Sequence, residues 1–132
     1  MTTENVDIVR RAFEAWNASD LDGVIALVHP ELEFVPFRSQ LDGSPYSGAE
    51  GMRQFARDAA EEWEYLRIAP DDFREAGAQV LMLGSYHARG RASGVDVEFP
   101  AAWVARLRDG RIEYLRSYSD RDAAFQAVGL TE

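Results

Sequence analysis

The chain has no cysteine, which excludes a disulfide framework, a thiol nucleophile and any thiolate-ligated metal. Its two histidines, His29 and His87, are far apart, and no HxxxH, HExxH or acidic-loop spacing occurs, so no metal site is expected. Glycines stand singly at turns rather than in a phosphate-cradling run. No apolar stretch approaches the ~18 residues of a membrane-spanning helix, and the opening MTTENVDIVRR lacks the apolar core of a secretory leader. The expectation is a cytoplasmic protein with no membrane partner and no cofactor. Positive charge is also scarce. With 14 basic against 23 acidic residues the net charge is −9, the wrong balance for neutralising phosphates, so nucleic acid is not an expected partner.

What is present fits one globular domain over residues 1–132, with 46% hydrophobic and 28% charged residues. The most informative stretch runs from Ala101 to Leu130. Two runs rich in Val, Ile, Tyr and Trp flank Asp109-Gly110, the pair that favours a type I′ hairpin turn. Ser119-Asp120-Arg121-Asp122 then opens a short helix that Gly129 can close.

Toward the N-terminus, Val6, Val9, Phe13 and Trp16 recur at helical spacing, with Ile8, Ala12 and Ala15 widening the stripe. Ser19 and Asp22 resemble a capping box for a second short helix that His29-Pro30 would end. Leu32–Val35 reads as a strand, and residues 37–48, with Asp42-Gly43-Ser44-Pro45, as the longest loop. A third helix from about Ala49 carries Met52, Phe55, Ala59 and Trp63 as its buried stripe. Alternating strands follow to about Glu75, from Gln79 to about Arg91, and over 95–108. Helices gathered on one side of a mostly antiparallel sheet make an α+β fold. The expected form is a cone-shaped curved antiparallel sheet, three N-terminal helices over its concave face enclosing a pocket, and a short C-terminal helix.

This order resembles the SnoaL-like group of the nuclear-transport-factor-2-like superfamily over nearly the whole chain. The residues that carry the resemblance are VDIVRRAFEAWNASDLDGVIALVHPELEF, YSGAEGMRQFARD, GAQVLMLGSYHARGRASGVDVEF and DGRIEYLRSYSDRDAAFQAVGL. It implies a cone-shaped α+β barrel, often a homodimer packed through the outer face of its sheet. SnoaL-like cyclases use a histidine and an aspartate for proton transfer. Aligned on Asp109-Gly110, those positions fall on Trp103 and Ser117. The base of ketosteroid isomerases would fall at Phe34-Val35-Pro36, and of the Asp-Arg-Asp group of limonene epoxide hydrolases only Asp120 and Arg116 have counterparts. Each enzymatic template therefore lacks at least one chemical group.

The candidate site residues divide by chemistry. Phe13, Trp16, Phe34, Trp63, Phe73, Phe99 and Trp103 are numerous for a small core, and an aromatic-lined concavity suits an apolar ligand. Tyr46, Arg89 and Ser117 are the polar residues expected beside it. His87, the one histidine within an expected strand, and Asp120 are the candidates for acid–base catalysis, though for each the structural reading weighs more, Asp120 as a helix cap and His87 as a satisfied or exposed histidine. Strand parity leaves open whether Arg116 and Tyr118 or Ser117 face the pocket. The functional expectation is a largely apolar pocket for a small hydrophobic or polycyclic molecule. The alternatives are an isomerase, cyclase or epoxide hydrolase using other groups such as His87, and a dimeric interaction module. Val80, Met82, Tyr86, Ala102, Val104 and Tyr114 are the apolar residues expected on a homodimer face.

Overall fold

The structure, a computed structural model, describes residues 3–42 and 44–130. Helix α1 spans Glu4–Asn17 and α2 Leu21–Ile25; strand β1 covers Val28–Val35, α3 Phe37–Asp42, β2 Tyr46–Ser47 and α4 Gly48–Glu62. Four long elements complete a meander, β3 (Trp63–Ala76), β4 (Gln79–Gly90), β5 (Asp96–Arg108) and β6 (Arg111–Tyr118), before α5 (Arg121–Ala127). The six strands form one sheet in the order β2-β1-β6-β5-β4-β3. All neighbours are antiparallel except β1 and β6, which run parallel.

The sheet separates two apolar clusters. On the concave face Val6, Val9 and Phe13 of α1 meet Val80, Met82 and Trp103 of the central strands. On the outer face α5 lays Ala124, Phe125 and Val128 over Leu81, Leu83, Ala102 and Val104. Val80, Met82 and Tyr86 are thus buried on the concave side and Ala102 and Val104 under α5, none more than 7% exposed. The expectation that these residues form an intermolecular face is corrected: the chain covers them itself.

Local chemistry explains the element ends. Asp109 and Gly110 both take positive φ (55° and 75°), the two left-handed residues of a type I′ turn. Gly129, at φ 74°, ends α5 with Leu130 N–H bonding the Phe125 carbonyl and Gly129 N–H the Gln126 carbonyl, a Schellman closure. α2 is capped by Asp20, whose carboxylate accepts from Gly23 N–H, and not by Ser19, which has φ 59° and belongs to the preceding turn. β1 begins earlier than expected and carries His29 and Pro30; as a strand near the sheet edge it tolerates a proline there. Residues 37–42, expected in a loop, form α3, entered after Pro36, whose carbonyl accepts from Ser39 N–H. The expected Asp42-Gly43 turn falls partly outside the described residues.

Curvature comes from irregular pairing. β3 slips register against β4 between Trp63 and Tyr65 and again between Pro70 and Asp72. At the second slip the Ala69 carbonyl comes so close to Gly84 that a Cβ there would stand 2.2 Å from its oxygen. The free edge of β3 is met by α1: Asn17 Nδ2 donates to the Ile68 carbonyl (2.7 Å) while its Oδ1 accepts from Ile68 N–H (2.9 Å). Trp16 Nε1 donates to the Leu66 carbonyl at 2.9 Å. These contacts satisfy backbone groups that an edge strand otherwise leaves open. No helix of the described residues is long and apolar enough to cross a membrane.

Candidate functional site

Between the helices and the concave face lies an apolar chamber of about 50 Å³. Phe13 and Trp16 of α1 and Phe55 of α4 form its roof, and Tyr86, Trp103 and Leu115 of the sheet its floor. The rings interlock: Phe13 meets Trp103 edge-on at 5.6 Å and Phe34 meets Phe55 at 4.8 Å. An empty apolar void of this size costs the fold about 1 kcal/mol, less than one truncated core side chain, so the chain can keep it open. Two wider clefts adjoin it. One, of about 210 Å³, shares Phe55, Leu66 and Tyr86 with the chamber and leads out past Phe37, Trp63 and Phe99. The other, of about 270 Å³, shares Trp16 and Leu66 and lies beside Asp20, Arg67 and Arg91.

Among the described residues Tyr86 is the one ionisable group that lines the chamber. Its hydroxyl accepts from Trp103 Nε1 at 3.1 Å and lies 3.0 Å from Ser117 Oγ, with either hydroxyl able to donate. Ser117 is fully buried, and its carbonyl accepts from Gln40 Nε2 of α3 at 2.8 Å. Burial pushes the Tyr86 phenol above its ordinary value, outweighing the two hydrogen bonds that favour the phenolate. Near neutral pH Tyr86 is therefore a protonated donor rather than a base. When Ser117 donates to it, the phenolic proton is free to point at a guest in the chamber.

The aromatic candidates are partly brought together. Phe13, Trp16, Phe34 and Trp103 line the chamber. Trp63 and Phe99 stand at its outer cleft, with Phe99 37% exposed. Trp63 is not the last turn of a helical stripe; it is the residue at which α4 gives way to β3. Tyr46 packs behind the wall, its ring 5.5 Å from that of Phe55 and its hydroxyl donating to Asp58 at 2.5 Å. Phe73 lies away from the chamber beneath the Arg10 guanidinium, 4.8 Å from its centre.

The acid–base candidates lie elsewhere. β4 alternates, and because Tyr86 and Ala88 take the concave positions, His87 and Arg89 fall on the outer face. There His87 Nε2 is 3.1 Å from Ser85 Oγ and Nδ1 is 3.7 Å from Glu98. Arg89 makes a bidentate pair with Asp96 at 2.8 and 3.0 Å, which holds the Asp96 carboxyl below its ordinary range. Asp120 caps α5, accepting from Asp122 N–H at 2.9 Å.

The question of facing on β6 is decided by a bulge. Arg106 pairs with Tyr114 but Leu107 with Ile112, so Glu113 is an extra residue on β6. Ile112, Leu115 and Ser117 consequently look inward, and Arg116 and Tyr118 outward. Sequence reasoning missed Tyr86, Phe55, Leu66 and Ile68 as parts of the wall. Tyr86 carried a usable signal, an amphipathic side chain flanked by glycine and alanine at Gly84 and Ala88 on one strand face, but parity alone did not say which face was covered.

Comparison with known proteins gives a consistent picture. A model of the SnoaL-like domain matches residues 9–115. No curated protein sequence matches the chain significantly. An NTF2-like protein from Burkholderia thailandensis is 26% identical, with 96% of this chain and 98% of that one covered and a TM-score of 0.78. TerC, co-crystallised with polyporic acid, shares 20% identity over 96% of this chain and 98% of its own, with a TM-score of 0.81. A protein from Jannaschia sp. CCS1, described as a SnoaL-like polyketide cyclase, shares 18% identity over 98% and 94% of the two chains, with a TM-score of 0.76. At the identities of the last two, the likeness is one of fold.

Proposed function

This chain belongs to the SnoaL-like domain family, and on that premise we propose that it binds a small, largely apolar organic molecule whose one polar anchor is an acceptor oxygen on Tyr86. The observation that carries the reading is the chamber's composition: an apolar wall of aliphatic, aromatic and thioether side chains with a single ionisable group, a phenol that two neighbours hold in place. The chamber alone, at about 50 Å³, is smaller than the roughly 150 Å³ of a cavity that holds benzene, so it takes only one end of a ring. Anything larger, a polycyclic molecule included, extends past Phe55 and Leu66 into the cleft edged by Trp63 and Phe99. The co-crystallisation of TerC with polyporic acid supports an organic guest in this fold.

The reading is of binding without the known cyclase or isomerase residues. Trp103 and Ser117, on which the family resemblance makes the acid–base positions of SnoaL-like cyclases fall, are both taken up in positioning Tyr86, and an indole N–H only donates. Tryptophan emission tests the proposal, since Trp16 and Trp103 line the chamber and Trp63 its outer cleft. A panel of cyclic ketones and aromatic phenols is expected to quench or shift emission saturably and to raise the melting temperature. Tyr86→Phe should weaken the carbonyl ligands by about 5- to 10-fold, the worth of one hydrogen bond. A panel that changes neither emission nor melting temperature would sink the reading.

A further inference from the structure

The chamber and the outer cleft beside it meet at a neck of three residues, Phe55, Leu66 and Tyr86, which line both. The two spaces differ in size. A cavity that holds benzene measures roughly 150 Å³, or roughly 25 Å³ for each ring carbon. By that measure the chamber, at about 50 Å³, takes roughly two carbons. The cleft, at about 210 Å³, takes a whole six-membered ring with a little room left. The aromatic side chains follow the same line. Tyr86 packs against Trp103 at 5.0 Å on the chamber side, and against Phe99 at 5.0 Å and Phe37 at 5.5 Å on the cleft side. Trp103 lines the chamber and not the cleft, Phe37 and Phe99 the cleft and not the chamber.

A small inner space, a hydroxyl shared at the neck and a ring-sized aromatic cleft together select a guest. Building on the binding mode proposed above, we infer that the ligand class is the neutral aryl alkyl ketone with a short alkyl arm. The arm of one or two carbons fills the chamber, the carbonyl oxygen accepts from Tyr86 at the neck, and the aromatic ring lies in the outer cleft. The reverse orientation is closed, because a whole ring exceeds the chamber. The other adjoining cleft is a poorer seat for the ring: Tyr86 is not in its wall, which carries Asp20, Glu64, Arg67 and Arg91 instead. In the outer cleft the ring meets Phe37, Trp63 and Phe99, which favours an aromatic ring over a saturated one of the same size. Glu62, the one charged residue of that wall among the described ones, is exposed and stands at the mouth, so the ring's surroundings are apolar. An ionised guest would leave its charge among those apolar walls, which is why the class is neutral.

The test is a series of ketones titrated into the intact protein, each followed through the Trp103 indole N–H resonance. Where space is unlimited, each added methylene tightens apolar binding by about 4-fold. Propiophenone should gain in this way over acetophenone. Valerophenone, whose four-carbon arm exceeds the chamber, should instead bind at least about 5-fold more weakly than propiophenone. Cyclohexyl ethyl ketone, the saturated counterpart, should bind about 3- to 10-fold more weakly than propiophenone. Phe99→Leu keeps an apolar side chain at a partly exposed position and should at least halve that preference for the aromatic ring. Valerophenone binding as tightly as propiophenone, the saturated ring binding as tightly as the aromatic one, or a preference untouched by Phe99→Leu would each overturn the assignment while leaving an apolar chamber anchored at Tyr86 in place. A Trp103 resonance that moves with none of these ketones would sink both the assignment and the binding mode on which it rests.

Discussion

Trp103 and Ser117 are partners across β5 and β6, and both side chains end on one atom, the hydroxyl of Tyr86. The arrangement follows from sheet geometry: cross-strand partners on one face hold their side chains side by side, and Tyr86 on β4 reaches them along the same face. Both residues thus serve as the clamp of a buried phenol.

Tyr86→Phe removes the shared partner of two buried groups while keeping the ring contacts with Trp103 and Phe99. Trp103 Nε1 is left without an acceptor, so urea unfolding should show a loss of about 1–3 kcal/mol. Ser117→Ala leaves Tyr86 bonded to Trp103 and should cost about 1 kcal/mol or less. Equal stability of Tyr86→Phe and wild type would mean that the clamp is not formed.

The same phenol makes a prediction in alkali. Folding holds the Tyr86 pKa above its ordinary value of 10 because the buried phenolate is poorly solvated. A group whose folded pKa is raised contributes stability that is fully present below the unfolded value and lost as pH climbs through the folded one. The stability gap between wild type and Tyr86→Phe should be flat from neutral pH to about 10 and shrink above it. Tyr65 and Tyr118, also raised, are common to both proteins and cancel. A gap unchanged well above pH 10 would contradict the burial.

Binding and capping should separate cleanly on the outer residues. Asp120→Ala removes the α5 cap and should cost about 0.5–2 kcal/mol of stability. Neither it nor His87→Ala touches the chamber, so ligand affinity should be the same as wild type in both. A large loss of affinity in His87→Ala, with the fold intact, would place the ligand on the wrong side of the sheet.

Gly84 is required by a close approach rather than by its own torsions. A methyl group there would stand 2.2 Å from the Ala69 carbonyl oxygen, and the obstacle is backbone. Gly84→Ala should therefore destabilise by about 1–3 kcal/mol, read as a fall in melting temperature of several degrees. A neutral substitution would show that the β3 bulge yields easily.

The elements whose signals are local were legible in the sequence. The Asp109-Gly110 turn, the Gly129 closure and the Val6–Trp16 stripe each depend on residues within one turn or strand pair. What escaped was set by distant partners. The extra residue Glu113 on β6 reverses inward and outward positions, and nothing in the alternation of Ile112 to Tyr118 announces it. Tyr86 and His87 differ by one position, and which faces the helices is fixed by packing against α1 and α4, not by their own strand. α3 escaped for another reason: its six residues have no apolar period of their own, and Phe37 is held by the Tyr86 and Phe99 rings. The aromatic roof and floor were visible as composition; the phenol at their centre was not.

The most direct measurement is the Trp103 indole N–H resonance, which reports on the Tyr86 hydroxyl through a hydrogen bond of 3.1 Å. Titration with cyclohexanone should shift it saturably, and titration with methylcyclohexane should perturb ring contacts while leaving that hydrogen bond, and the resonance position, nearly unchanged. In Tyr86→Phe the ketone should bind about 5- to 10-fold more weakly than in the wild type, while the hydrocarbon should bind as before. A Trp103 resonance indifferent to cyclohexanone at saturation, or an equal response to both ligands in the wild-type protein, would contradict an apolar chamber anchored at Tyr86.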